Sequence, residues 1–76
     1  MALALVLNGQ PRSFDNLNGD ASLVELVEEL GLKSDRIAVE RNGEIAPRTG
    51  WAKVGLGEGD RIEIVHFVGG GSGRGI

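Results

Sequence analysis

The chain has 76 residues, contains no cysteine and one histidine, and carries a formal net charge of −3. This length allows one small domain, the lack of cysteine excludes disulfides and thiolate chemistry, and a single histidine argues against an enzyme with its own catalytic set. The acidic balance disfavours nucleic acid as a partner and favours basic protein surfaces.

The first part of the chain predicts a β-hairpin. Residues 2–7 are all apolar, which predicts a central strand that is covered on both faces or flanked by a parallel neighbour. This segment has no preceding basic residue and is too short to span a bilayer, so we expect a cytoplasmic protein without a membrane partner. Asn8-Gly9 is a two-residue hairpin signal that leads into a strand over residues 10–14, and Pro11 indicates that this strand lies at an edge.

One helix is predicted by a start signal, an apolar stripe and a stop signal. Ser22 begins a capping box, in which its side chain accepts from a free backbone N–H and Glu25 reaches back. Gly31 can adopt the left-handed conformation that ends a helix. Between these signals, four apolar residues recur at helical spacing and are expected to pack into the core: Leu23, Leu26, Val27 and Leu30.

The second half of the chain predicts three more strands, over residues 37–41, 44–46 and 61–68, the first two joined by Asn42-Gly43. Trp51, the single tryptophan, is expected to be a packing residue beside the core. The simplest arrangement is an α+β fold with one main helix on one face of a mixed sheet of four to five strands. With the apolar first and last strands parallel at its centre, this arrangement resembles the β-grasp, or ubiquitin-like, fold; the strand order comes from that analogy, since periodicity alone does not fix it.

Alternation in the last strand places Ile62 and Ile64 on one face and Val65 and Phe67 on the other. If the helix covers Ile62 and Ile64, then Val65 and Phe67 face outward and form a partner-binding patch. The alternative is a bulge or twist that tucks Phe67 away. His66 has no neighbouring carboxylate or second ligand in the pattern, so we expect no catalytic and no metal-binding residue in this chain.

Gly69, Gly70 and Gly71 follow the last strand directly. We expect a folded domain over residues 1–68 and a flexible glycine-rich tail over residues 69–76, with no regular structure after the three glycines. A tail without side chains can enter a narrow channel and present a carboxylate to another protein's active site. Joined to AMP, that carboxylate becomes an anhydride that a sulfur nucleophile opens to a thiocarboxylate. The alternative is an inert tail.

The ending EIVHFVGGG, residues 63–71, resembles the ThiS family, the sulfur-carrier proteins of thiazole formation in thiamine biosynthesis. The resemblance covers residues 2–71 and includes Leu7-Asn8-Gly9, residues 39–43, and Pro47-Arg48 followed by Trp51. It implies a monomeric β-grasp carrier that is not an enzyme and binds no cofactor. An E1-like enzyme, ThiF, would use ATP to adenylate Gly71, the terminal glycine after Gly70. The thiocarboxylate would then donate sulfur to the thiazole synthase, ThiG.

Residues 72–76 depart from the family pattern, because family members usually end at the glycines. They must be removed before Gly71 can be adenylated, unless they are foreign to the natural chain or the protein does not carry sulfur. Two alternative functions therefore stay open. One is a related sulfur carrier for molybdopterin or cysteine synthesis. The short length of the chain and the pair His66-Phe67 favour thiamine synthesis over this alternative. The other is a noncovalent ubiquitin-like binding module with inert glycines.

Overall fold

The computed structural model describes residues 2–68 and 72–75, and this part of the chain contains six strands and one α-helix. Two 3₁₀ helices, Ser34–Arg36 and Arg48–Lys53, lie between the regular elements. No helix in the described ranges is long and apolar enough to cross a membrane. The regular elements are β1 Leu3–Leu7, β2 Gln10–Phe14, α1 Leu23–Glu29, β3 Ile37–Arg41, β4 Glu44–Ile45, β5 Arg61–Val68 and β6 Ser72–Gly75.

The main sheet has the strand order β2-β1-β5-β3-β4. β1 and β5 are parallel neighbours near its centre, while β1–β2, β3–β4 and β3–β5 are antiparallel pairs. Helix α1 packs on one face, where its apolar stripe joins the buried side chains of β1, β3 and β5 in a single core. The predicted β-grasp fold is therefore confirmed.

The local signals that predicted the turns and the helix are confirmed. Both Asn-Gly turns have positive φ at the asparagine and at the glycine, as two-residue hairpins of this kind require. The Ser22 hydroxyl accepts from the Glu25 N–H at 3.4 Å, and the Glu25 carboxylate accepts from the Ser22 N–H at 2.6 Å. Gly31 follows the helix with φ +72°. Leu23, Leu26 and Val27 are buried, and Leu30 is partly buried.

Two predictions about burial are resolved by the sheet. Along β1, burial alternates, because Leu3, Leu5 and Leu7 face the core while Ala4 and Val6 stay partly exposed. The apolar run therefore reflects a strand flanked by a parallel neighbour, and not one covered on both faces. Trp51 is buried, and its indole N–H donates to the Ala46 carbonyl at 2.6 Å, which confirms that it is a packing residue.

Strand β6 differs from the prediction that no regular structure follows the glycines. β1 pairs only with the first two residues of β5, whereas β3 pairs with the opposite edge of β5 up to His66. The edge along residues 65–68 thus lacks a neighbour from β1, and an unpaired edge accepts another strand. β6 pairs there in antiparallel register, from Val68–Ser72 to Val65–Gly75. Serine and glycine have weak strand propensity, so the sequence carried no sign of this pairing.

Candidate functional site at the end of β5

The three glycines on which the predicted chemistry depends, Gly69, Gly70 and Gly71, lie outside the described residues. Their roles in adenylation, and the flexibility of the tail, stay predictions. The structure does describe the strand that leads to them. β5 lies between β1 and β3 in the sheet order, and its pairing with β3 runs as far as His66, three residues before Gly69.

Asn8 holds β5 at the point where its pairing with β1 ends. Its side-chain amide donates to the Ile64 carbonyl at 3.1 Å, and its side-chain oxygen accepts from the Ile64 N–H at 2.7 Å. Its own backbone N–H donates to the Ile62 carbonyl at 2.9 Å. The Asn8 side chain thereby continues the β1–β5 ladder by one step, and we call this pair of side-chain bonds the Asn8 clasp. The sequence indicated Asn8 only as a turn residue.

The predicted facing of β5 is confirmed. Ile62 and Ile64 are fully buried beneath α1, whereas Val65 is partly buried and Phe67 is 44% exposed. Val65 and Phe67 thus belong to the face of the sheet opposite α1, which we call the open face. The alternative in which a bulge hides Phe67 is not what the structure shows. Whether Val65 and Phe67 contact a partner stays a prediction.

His66 lies on the helix side of the sheet, opposite Ile37 in the β3–β5 register, and is partly buried. Within residues 2–68 and 72–75, no group of three or more histidine, aspartate or glutamate side chains is arranged to hold a metal ion. The same ranges contain no buried side-chain nitrogen or oxygen without a hydrogen-bond partner.

The start of β5 is fixed by Asp60, a residue that the sequence pattern indicated only as part of a turn. Its carboxylate accepts from Arg41 at 2.9 Å, from Asn42 at 3.2 Å and from the Gly57 N–H at 2.8 Å. Burial acts to raise the pKa of Asp60, but the bonds from Gly57, Asn42 and Arg41, together with the Arg41 charge, lower the pKa below its ordinary value. Asp60 therefore stays ionised and joins the turn after β3 to the loop that precedes β5.

Comparison with known proteins relates this geometry to a family. The model of the ThiS family matches residues 5–71, which is most of the chain. The sulfur carrier protein ThiS of Bacillus subtilis is 39% identical over 67 residues, covering 88% of this chain and 98% of that protein. The crystal structure of a thiamine biosynthesis protein, ThiS, from Geobacter metallireducens superposes with a TM-score of 0.78 at 30% identity, covering 91% of this chain and 100% of that chain.

Longer relatives contain a similar segment. A thiazole synthase of Paramagnetospirillum magneticum is 44% identical over 70 residues, which is 92% of this chain and 21% of that protein. A thiazole synthase of Magnetococcus marinus is 42% identical over 65 residues, which is 86% of this chain and 19% of that protein. The chain thus spans about a fifth of the length of these two relatives. From its fold, its family match and its full-length similarity to small carriers, the chain belongs to the ThiS family.

Proposed function

We propose that this protein is a sulfur carrier of thiamine biosynthesis, with the Gly71 carboxylate as the carrying group. The observation that supports this most directly is the extent of the family match, which runs from residue 5 through the last of the three glycines at residue 71. The similarity to the Bacillus subtilis sulfur carrier supports the same function, because it covers 88% of this chain and 98% of that protein.

The proposed chemistry takes place in two steps at the Gly71 carboxyl group. First, a carboxylate oxygen attacks the α-phosphorus of ATP, and pyrophosphate leaves with the electron pair of the broken P–O bond. The product is an acyl-adenylate. Hydrosulfide then attacks the carbonyl carbon, AMP leaves, and loss of the proton gives the thiocarboxylate. No atom is oxidised or reduced, so the sequence needs no electron donor.

The carrier does not need catalytic residues for these steps, because an E1-like adenylating enzyme such as ThiF supplies the binding of ATP and the electrostatic stabilisation. We therefore propose that the protein is a co-substrate and not an enzyme, that it acts as a monomer, and that ATP is consumed on the partner in the cytoplasm. Its own contribution is to recognise the partner through Val65 and Phe67 and to deliver the glycines.

The acceptor of the sulfur is proposed to be a thiazole synthase such as ThiG. Two relatives with the name thiazole synthase contain a segment more than 40% identical to this chain within a much longer protein. A carrier and its acceptor that occur together in one polypeptide react at high effective concentration. This association favours thiazole formation over molybdopterin or cysteine synthesis as the destination of the sulfur.

Residues 72–76 follow Gly71, so in the 76-residue chain the Gly71 carboxyl group is part of an amide bond. We propose that cleavage after Gly71 produces the active form. The same cleavage would separate β6 from the domain, because β6 consists of Ser72–Gly75.

The test compares a chain that ends at Gly71 with the 76-residue chain and with Gly71→Val in the shortened form. Each is mixed with ThiF, ATP and magnesium, and ATP–pyrophosphate exchange is measured. Sulfide is then added, and mass spectrometry follows the replacement of one oxygen by sulfur. Of these three proteins, we expect only the unmodified shortened chain to react, because the 76-residue chain ends in a branched residue and valine at position 71 blocks a channel built for glycine.

A matched control is Gly19→Val in the shortened chain, because a side chain at Gly19 meets no atom within 4 Å and its φ is not positive. This control should react like the unmodified shortened chain. Equal reaction of all four proteins, or no reaction of any, would remove the chemical role of the glycines. A noncovalent ubiquitin-like binding module would then be the better description.

A further inference from the structure

The open face of the sheet carries both large apolar residues that the described chain leaves exposed. Phe67 is 44% exposed and Ile45 is 77% exposed. Ile45 pairs with Glu40 across β3–β4, and Glu40 pairs with Glu63 across β3–β5. Directly paired residues share a face, and alternate residues of β5 share a face. Ile45, Glu40, Glu63 and Phe67 therefore lie together on the open face, in a band that crosses three strands.

The middle of this band holds two carboxylates in direct opposition, Glu40 and Glu63, which we call the acidic pair. Like charges at directly opposed positions destabilise a sheet. In residues 2–67, where side chains are described, neither member forms an ion pair, whereas Arg41 and Asp60 do. The acidic pair lines a groove of about 400 Å³ together with Asn42, Gly43 and Arg61.

We propose that the acidic pair is the anchor for a lysine or arginine side chain of the adenylating partner, which docks on the open face. The apolar surface at Ile45 and the apolar surface at Val65 and Phe67 would contact apolar side chains on either side of that cation. The molecule that binds the open face is a protein, because the band has apolar surface on both sides of an acidic centre, as protein interfaces do. Charge complementarity requires that the partner's group opposite the acidic pair is positively charged. This inference rests on the proposed function, which supplies the partner.

The sheet itself supplies an argument that the acidic pair serves binding. The pairing Val39–Ile64 on the helix side already sets the β3–β5 register through two buried apolar residues. The register therefore does not need the acidic pair, whose like charges repel each other. Arg61, which lies two residues before Glu63 and lines the same groove, forms no ion pair with either carboxylate within residues 2–67. A cation of a partner, placed between the two carboxylates, converts this repulsion into attraction.

The two roles predict opposite effects of the same substitution. If the acidic pair serves binding, then Glu63→Gln weakens the complex, while the free protein becomes as stable as the parent or more stable, since the repulsion is gone. If Glu63 serves the fold, then the substitution lowers the unfolding temperature. Both quantities are measured on the same purified protein, so the two roles are distinguished directly.

The experiment uses the chain that ends at Gly71 and its variants Glu63→Gln, Glu40→Gln and Glu44→Gln. Glu44→Gln is the control, because Glu44 is exposed and the substitution removes the same charge. Glu44 pairs with Arg41, and Arg41 pairs with the buried Ile62, so Glu44 lies on the face opposite the open face. The dissociation constant for ThiF is measured by calorimetry at two salt concentrations, and the unfolding temperature is measured by calorimetric scanning.

We expect Glu63→Gln and Glu40→Gln each to raise the dissociation constant about tenfold, with a smaller loss at high salt. We expect Glu44→Gln to change it less than about twofold, because a charge on the far face contributes only to steering. Unchanged binding in both open-face variants, or an equal loss in all three, would overturn the anchor. A lower unfolding temperature of both open-face variants would do the same. If the parent shortened chain neither binds ThiF nor supports pyrophosphate exchange, the proposed function fails, and the anchor with it.

Discussion

Removal of the Asn8 clasp is expected to destabilise the domain at the base of the glycine segment. Asn8→Gly deletes both side-chain bonds to Ile64, at 2.7 and 3.1 Å. Glycine adopts the observed φ of +49° without strain, so the loss measures the bonds and not the turn. Two neutral hydrogen bonds contribute about 1–3 kcal/mol together. A domain of this size has a total stability of about 4–11 kcal/mol, so the variant should lose a substantial part of it.

Urea unfolding followed by the fluorescence of Trp51 measures this loss, because Trp51 is buried in the native state. Hydrogen exchange of the Ile64 amide reports the clasp locally, and we expect faster exchange in Asn8→Gly. The control is Asn8→Asp, which keeps the acceptor for the Ile64 N–H but has no donor for the Ile64 carbonyl. Its stability should be intermediate or close to that of the glycine variant. If Asn8→Gly has the parent's stability and the parent's exchange rate at Ile64, the clasp does not hold β5.

Three further variants test the site, the start of β5 and the core. Phe67→Glu should weaken binding to ThiF at least tenfold, measured by titration calorimetry. Its unfolding temperature should change little, since Phe67 is 44% exposed. An unfolded variant would show that Phe67 belongs to the core. Asp60→Asn should cost about 1–3 kcal/mol at neutral pH. In the parent, the stability from ionised Asp60 is complete above the ordinary carboxyl pKa of 3.8 and is lost as pH falls through the lowered folded pKa, so the variant's urea midpoint should fall less steeply with acid. Leu26→Ala should cost about 2–5 kcal/mol in urea unfolding, because Leu26 is fully buried; a cost below about 1 kcal/mol would mean that the cavity collapses.

The features that the sequence predicted correctly depend on residues close together in the chain. The capping box joins Ser22 to Glu25, and each two-residue turn needs only an asparagine and the glycine after it. The burial of Ile62 and Ile64 follows from alternation within one strand. Strand order was reached by combining these local predictions with an analogy to the β-grasp arrangement, because periodicity alone does not determine which strands are neighbours.

The features that the sequence did not predict join distant residues through side chains or unpaired backbone. The clasp from Asn8 to Ile64 spans 56 positions, and nothing in the Asn-Gly signal distinguishes an amide that bonds to a strand from one that faces water. Likewise, Asp60 in a Gly-Asp turn gives no sign of its bond to Arg41. Their partners become neighbours only after the sheet has formed, so these contacts follow from tertiary structure and not from a local pattern.

One constraint on the partner follows from the length of the chain between the open face and the reacting group. Phe67 precedes Gly71 by four residues, and an extended chain advances at most about 3.3–3.6 Å per residue. The Gly71 carboxyl carbon therefore lies within about 15 Å of the Phe67 backbone. A partner that contacts Phe67 while it adenylates Gly71 must have its ATP site within this distance of the surface that receives Phe67. If Val65 and Phe67 bind the partner as proposed, the short span from Phe67 to Gly71 makes the open face determine where the carboxylate is delivered, and a small shift of β5 relative to the partner would move the carboxylate away from ATP.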